Sequence, residues 1–357
     1  MLSARTRTVL RRLATLGALL MLLAPASAQA FSKAIWGQVY RDGVNQFPLY
    51  RELGVSIFEV DLLWNQVAPT RPRDPTDPRD PAYVWPTEVQ QAVTQARRFH
   101  MRVLLQIIGA PPWANGGEPS NWAPRNPADF AAFATAASRH YPSVHLWMIW
   151  GEPTRAPNFE PITSAPPIGQ PLDAAQRAAP HLYARILNAA YGALKKVSTE
   201  NLVIGGCTYT TGAIDTQQWI ENLRLPDGRP PRMDMYAHNP FSYQSPTFTS
   251  IPSMFGEVQF SDLPELAGWI DRYLRPGLPI FLSEWTIPTA PDQQFNFYVS
   301  PATAAQWITD ALREARTYHR IYALGWVNVY DDPPLTYGGL LTQSGVRKPG
   351  FKAFAHG

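Results

Sequence analysis

Two glutamates stand in closely similar settings. In Trp147-Met148-Ile149-Trp150-Gly151-Glu152-Pro153 an apolar run delivers Glu152 directly beyond its end, and Pro153 stops the run and fixes the turn. Ile280-Phe281-Leu282-Ser283-Glu284-Trp285 repeats the design, again with a tryptophan beside the carboxyl group. A carboxyl group held against tryptophan has reason to keep its proton, as a general acid must. Glycoside hydrolysis needs two carboxyl groups, one to protonate the leaving oxygen and one to attack the sugar carbon. Either glutamate alone could be a surface residue at a strand end; the pair points to chemistry.

For the two to meet, the runs that carry them must be parallel strands opening on one face. The chain beyond residue 30 alternates short β-branched runs with longer amphipathic stretches, the pattern of βα units. Strands are expected at Ile35–Val39, Val55–Val60, Val103–Ile108, His145–Trp150, Leu202–Gly206, Met233–His238, Ile280–Trp285 and Tyr322–Val327. Helices are expected at Gln46–Leu53, Glu88–Phe99, Ala128–His140, His181–Val197, Asp215–Leu225, Leu263–Leu274 and Ala302–Tyr318. Asn126-Pro127 and Ser300-Pro301 read as an N-cap followed by a first-turn proline. This order predicts an α/β fold, a single (β/α)8 TIM barrel over residues 31–357. An open doubly wound sheet is disfavoured, because no Gly-rich phosphate turn follows the first strand. Glu152 and Glu284 then end the fourth and seventh strands and face one another across the barrel mouth. Long proline-rich segments leave the second, fourth and sixth strands, at Pro69–Pro86, Pro153–Pro180 and Asn239–Phe260. Loops after the strands build the active face of a barrel.

The first thirty residues read as an export signal. Arg5, Arg7, Arg11 and Arg12 precede the short apolar run Leu13–Ala24, and Ala28-Gln29-Ala30 suits a signal peptidase cutting after Ala30. The product is expected to be secreted or periplasmic, with no membrane association after cleavage; an uncleaved anchor is the alternative. Arg11-Arg12 leaves twin-arginine export open. The net charge of +3 has no basic stripe behind it, which argues against nucleic acid as a partner. The single cysteine, Cys207, excludes an intramolecular disulfide and reads as a small buried residue. No His or Cys spacing suits a metal and no Gly-x-Ser-x-Gly elbow occurs, so neither a metal nor another cofactor is implied. Twelve tryptophans are either core filler or flat platforms for sugar rings. Trp36, Trp64 and Trp113 fall at the ends of the first three strands and are candidate platforms, each as readily plain core. Tyr243 could offer a hydroxyl to the nucleophile.

These segments together resemble clan A glycoside hydrolases, nearest to families 39 and 5, the xylosidase-like and cellulase-like groups. The similarity runs along essentially the whole chain after the signal. It rests on Trp150-Gly151-Glu152-Pro153, Leu282-Ser283-Glu284-Trp285, Leu62-Leu63-Trp64-Asn65-Gln66-Val67-Ala68-Pro69, Ala110-Pro111-Pro112-Trp113-Ala114 and His238-Asn239-Pro240-Phe241. Gly339-Leu340-Leu341 and the segment from Lys348 to Phe354 look like the usual close of such barrels. The resemblance implies a retaining hydrolase of an oligo- or polysaccharide, with Glu152 as acid/base and Glu284 as nucleophile. It implies that His238 hydrogen-bonds within the glycone site and that Trp326 lies under the reacting sugar. Without it, His238 could be structural and Trp326 plain core. Two positions depart from the pattern. Gly151 stands where the family has an asparagine that binds the sugar's 2-hydroxyl. Glu59 stands where an arginine often helps hold the nucleophile ionised. At Gly151 a water could replace the amide, a residue from another loop could reach in, or the substrate could carry a bulkier group. The rival function is a non-catalytic carbohydrate-binding barrel serving polysaccharide assembly or export.

Overall fold

The computed structural model describes residues 31–164, 170–249 and 256–357; the expected export signal lies outside them. Eight parallel strands close into a barrel in sequential order. They are β1 (Ser32–Trp36), β2 (Ile57–Leu63), β3 (Arg102–Ile108), β4 (Leu146–Ile149), β5 (Leu202–Tyr209), β6 (Met235–Asn239), β7 (Ile280–Trp285) and β8 (Ile321–Trp326). β1 pairs with both β2 and β8, which closes the ring. The surrounding helices are α1 (Phe47–Glu52), α2 (Thr87–Arg98), α3 (Pro127–His140), α4 (Ala178–Val197), α5 (Thr216–Glu221), α6 (Leu263–Tyr273), α7 (Pro301–Thr317) and α8 (Pro349–His356). The expected (β/α)8 barrel is thus the observed fold. Strand and helix limits differ from expectation by up to four residues: β1 spans Ser32–Trp36 instead of Ile35–Val39, and α5 ends at Glu221 instead of Leu225. A small hairpin, Tyr40–Arg41 with Val44–Asn45, and two single helical turns, Trp64–Val67 and Pro112–Asn115, were not anticipated. Asn126 and Ser300 cap α3 and α7 as their sequence context implied, accepting from the amides of Ala128 and Thr303.

Strand alternation sorts the side chains into two layers. Ala34, Ile57, Leu104, Met148, Ala237 and Phe281 fill the barrel interior. Their neighbours Ile35, Phe58, Leu105, Trp147, Tyr236 and Leu282 pack outward beneath the helices. Cys207 is a free buried thiol of the inner layer.

One irregularity bears on the site. Leu282 pairs with Leu324 and Trp285 with Trp326, so β7 takes three steps where β8 takes two. The extra residue is a β-bulge, a device that re-aims side chains. It lets Ser283 reach Glu59 inside the barrel while Glu284 faces the mouth. Gly325 makes the room: a Cβ there would collide with the Ser283 carbonyl oxygen and lie 2.5 Å from Glu59 Oε1. Gly325→Ala should therefore cost about 3 kcal/mol, the upper range for overpacking a core. Urea denaturation would check this; an unchanged midpoint would mean that the bulge does not depend on the glycine.

Candidate active site

Glu152 leaves β4 on a strained turn. Trp150 and Glu152 adopt positive φ of 65° and 45°, on either side of Gly151. Such backbone in residues with side chains persists only where surroundings enforce it. The Trp150 ring supplies part of that enforcement. It is buried, its Nε1 donates to the Asn158 carbonyl at 2.6 Å, and it meets Phe159 edge-on. The expectation that Trp150 would desolvate Glu152 misses the principal contacts, which are polar. Arg155 Nη1 donates to Glu152 Oε2 at 2.6 Å and Asn158 Nδ2 to the same oxygen at 3.0 Å. Asn239 Nδ2 donates to Oε1 at 3.0 Å. All three partners are donors, so none of them accepts a proton from Glu152.

Glu284 is joined to Glu152 through the same amide. Its backbone N–H donates to Asn239 Oδ1 at 3.1 Å, which orients the amide so that Nδ2 must face Glu152. Among the described residues, no side chain hydrogen-bonds to the Glu284 carboxyl, which faces the cavity. Burial pushes this carboxyl well above the ordinary carboxylate range; the negative charges of Glu152 and Asp61 add to that push, and Arg155 opposes it. The two carboxyls share a cavity of about 360 Å³ with Gln66, Gln106, Asn121 and Asn158. The unliganded site thus disfavours charge on Glu284 and sets the Arg155 guanidinium against Glu152.

Below the pair lie two further acids. Glu59 is buried in the barrel, accepts from Ser283 Oγ at 2.7 Å through Oε2, and leaves Oε1 without a partner. Burial holds its proton well above the usual range, and the nearby Glu284 and Asp61 reinforce this. Asp61 is also raised by burial, against a 2.9 Å hydrogen bond from Gln106 Nε2. A neutral Glu59 supplies no positive charge in the arginine's stead. Gly151 is explained by the same cluster: a Cβ there would sit 2.8 Å from Gln106 Nε2. The side chain that fills the space beside Gly151 belongs to strand β3 and not to another loop.

Several other expectations need correction. Trp326 is 1% exposed and packs edge-on against Trp285 and Phe354 between barrel and helices. On β8 the alternation turns Ala323 and Gly325 inward and Trp326 outward, so it is core and lies under no sugar. Trp64 is fully buried against Trp113, Phe130 and Phe133. Trp113 is half-buried, covered by the Arg71 guanidinium and donating to the Ala68 carbonyl; it lines none of the cavities described here. His238 is buried between Thr208 Oγ1 and the Val258 carbonyl, and burial pushes its pKa down to about 4. It is a structural histidine. Tyr243 is 51% exposed, and its hydroxyl donates to Glu257 and not to Glu284. Trp36 alone of the proposed aromatics lines cavities at the mouth, with its Nε1 donating to Ser283 Oγ. The residues that sequence reasoning missed are Asn239, Gln106, Arg155 and Asn158. Alternation from Met235 and Ala237 places Asn239 inward, so the strand period held a signal one position past His238.

Glu59 yields a prediction about pH. Its folded pKa lies above the unfolded value of about 4.5, so the native state binds more protons in that interval. Its contribution to stability therefore falls as pH rises from the unfolded towards the folded value. Glu59→Gln, a neutral isostere, should flatten the decline of Tm between acid and neutral pH. Calorimetry of both proteins across that range decides; an unaltered slope would show that Glu59 is ionised in the fold.

By sequence, no family model matches the chain, and no match to a curated protein is found. Solved structures do match. A family 39 glycoside hydrolase from Bacteroides cellulosilyticus WH2 superposes with a TM-score of 0.63 at 17% identity, over 92% of this chain and 63% of that one. A glucosidase from Croceicoccus marinus gives 0.63 at 15%, over 92% and 66%. A monomeric β-xylosidase from Caulobacter crescentus CB15 gives 0.62 at 15%, over 91% and 67%. The chain thus spans about two thirds of the length of these structures. At this identity the likeness is one of fold: the chain has a (β/α)8 barrel similar to that of the family 39 glycoside hydrolase structure.

Proposed function

We propose that the protein is a retaining hydrolase of β-linked glycans or glycosides, acting outside the cytoplasm after loss of residues 1–30. The observation that carries this reading is the pairing of Glu152 and Glu284 in one cavity, with the Asn239 amide touching both residues. Retaining hydrolysis needs one ionised and one protonated carboxyl. Burial and the neighbouring acids favour a proton on Glu284 before substrate enters. A sugar entering between them displaces Arg155, whose side chain is 41% exposed and rests on the Tyr209 ring. In the reactive state Glu152 carries the proton and Glu284 is ionised, the arrangement that retaining hydrolysis needs. Glu284 then attacks the anomeric carbon as the glycosidic C–O bond breaks, and Glu152 gives its proton to the departing oxygen. Glu152 next removes a proton from water, whose oxygen attacks the same carbon and releases Glu284.

The donors around Glu152 favour one rival, a barrel that binds carbohydrate without cleaving it. A panel of aryl β-glycosides and β-glycans separates the two: binding with no product after exhaustive incubation upholds the rival. If the hydrolytic reading holds, Glu284→Ala abolishes turnover, and azide restores part of it with a product of inverted configuration. Azide without effect, or full activity in the variant, would remove Glu284 from the nucleophile's role.

The singly protonated pair is the active form, and its loss sets the basic limb of the pH profile. Arg155 lowers the proton affinity of Glu284. Arg155→Met should therefore move the basic limb of kcat/KM to higher pH, by about one unit, the lower range for a neighbouring opposite charge. A profile that stays in place would separate Arg155 from the titration.

A further inference from the structure

The cavity that holds the carboxyl pair is one of three in contact. It shares Leu63 and Gln66 with a second, of about 450 Å³, that lies against the loops after β1 and β2. The second shares Trp36 and Gly37 with a third, of about 620 Å³, between the loops after β1 and β8. Each alone has the size of a small-molecule site. Together they run from the carboxyls past the ends of β2, β1 and β8.

We propose that this track is a binding groove for several consecutive units of a linear glycan whose sugars carry no carboxylates. The inference rests on the carbohydrate reading above and adds the extent and chemistry of the substrate. Trp36 stands at the seam between the second and third cavities, half-buried, with its ring fixed by the bond from Nε1 to Ser283 at 3.3 Å. A fixed indole partly open to a groove offers the flat amphipathic surface that a sugar ring needs. At the far end Tyr40 is 41% exposed, and the Arg41 guanidinium lies 3.6 Å from the centre of the Tyr330 ring. The charge of the walls restricts the occupant. Apart from the buried Glu59 and the partly buried Asp61, the acids Asp42, Glu88, Asp331 and Asp332 line the second and third cavities, and Arg41 is the one cation among their lining residues. Uronate units would meet like charge along this path, whereas neutral or amine-bearing units would not.

The test uses the purified protein with β-linked oligosaccharides of two to six units, in neutral, amino-sugar and uronate series. In a neutral or amino-sugar series kcat/KM should rise about tenfold or more between two and five units, equivalent to about 1.4 kcal/mol of added transition-state binding. The uronate series should show no such rise. Trp36→Ala and Tyr40→Ala should bring the five-unit rate back towards the two-unit rate. Saturation at two units, or a preference for uronates, would overturn the groove. Should no series be turned over, calorimetric affinity against length decides. Affinity that rises with length upholds the groove and overturns the hydrolytic reading, and affinity independent of length overturns both.

Discussion

The site depends on a single buried amide. Asn239 receives the Glu284 N–H on its oxygen and gives its N–H to Glu152, so the ends of β4 and β7 are referred to a common point on β6. Neither carboxyl could be placed as well by its own strand. Glu152 follows a turn with two left-handed residues, and Glu284 sits on a bulge. A hydrogen bond buried away from water holds such placements strongly, because breaking it leaves polar groups unpaired. The bulge in turn depends on Gly325, and Gly325 on Glu59 remaining compact beside it. Three strands and an acid in the barrel thus converge on one geometry.

The electrostatics follow from that packing. Four carboxyls, those of Glu59, Asp61, Glu152 and Glu284, lie close together, with Arg155 the cation that bears on the pair. So many like charges cannot all ionise in a site of low dielectric. Burial resolves the conflict at Glu59 by keeping its carboxyl neutral, and Arg155 opposes the upward push on Glu284. Glu59 therefore acts as a neutral spacer beneath Ser283, where its acidity taken alone would suggest a charged partner for Glu284.

The eight strands were legible because each buries an inner and an outer face, and the resulting β-branched runs stand out between amphipathic helices. Glu152 and Glu284 were legible because an acid at the end of an apolar strand has few structural reasons to be there. Gln106 had a signal too, as the one polar residue within Val103–Ile108. Trp326 was misplaced because a tryptophan near a strand end satisfies either layer, and only the phase of the alternation decides. The bulge in β7 was not legible, since nothing in Leu282-Ser283-Glu284-Trp285 marks an extra residue. Arg155 and Asn158 were hidden for another reason: the loop after β4 folds back on Glu152, and that path depends on left-handed backbone at Trp150 and Glu152, not at the Gly151 between them.

Cys207 sits directly under this assembly, its Sγ 3.9 Å from Gln106 Oε1 and 4.0 Å from Asn239 Oδ1. Burial pushes the thiol well above its ordinary range, which makes it inert while the barrel is closed. As the chain's single cysteine, it is a built-in clock of barrel opening. A thiol reagent added to the folded protein would react only as fast as the inner layer comes apart. Once alkylated, the sulfur would leave no room for Gln106 and Asn239 to return, so a transient breath of the barrel would become a permanent record in the active site.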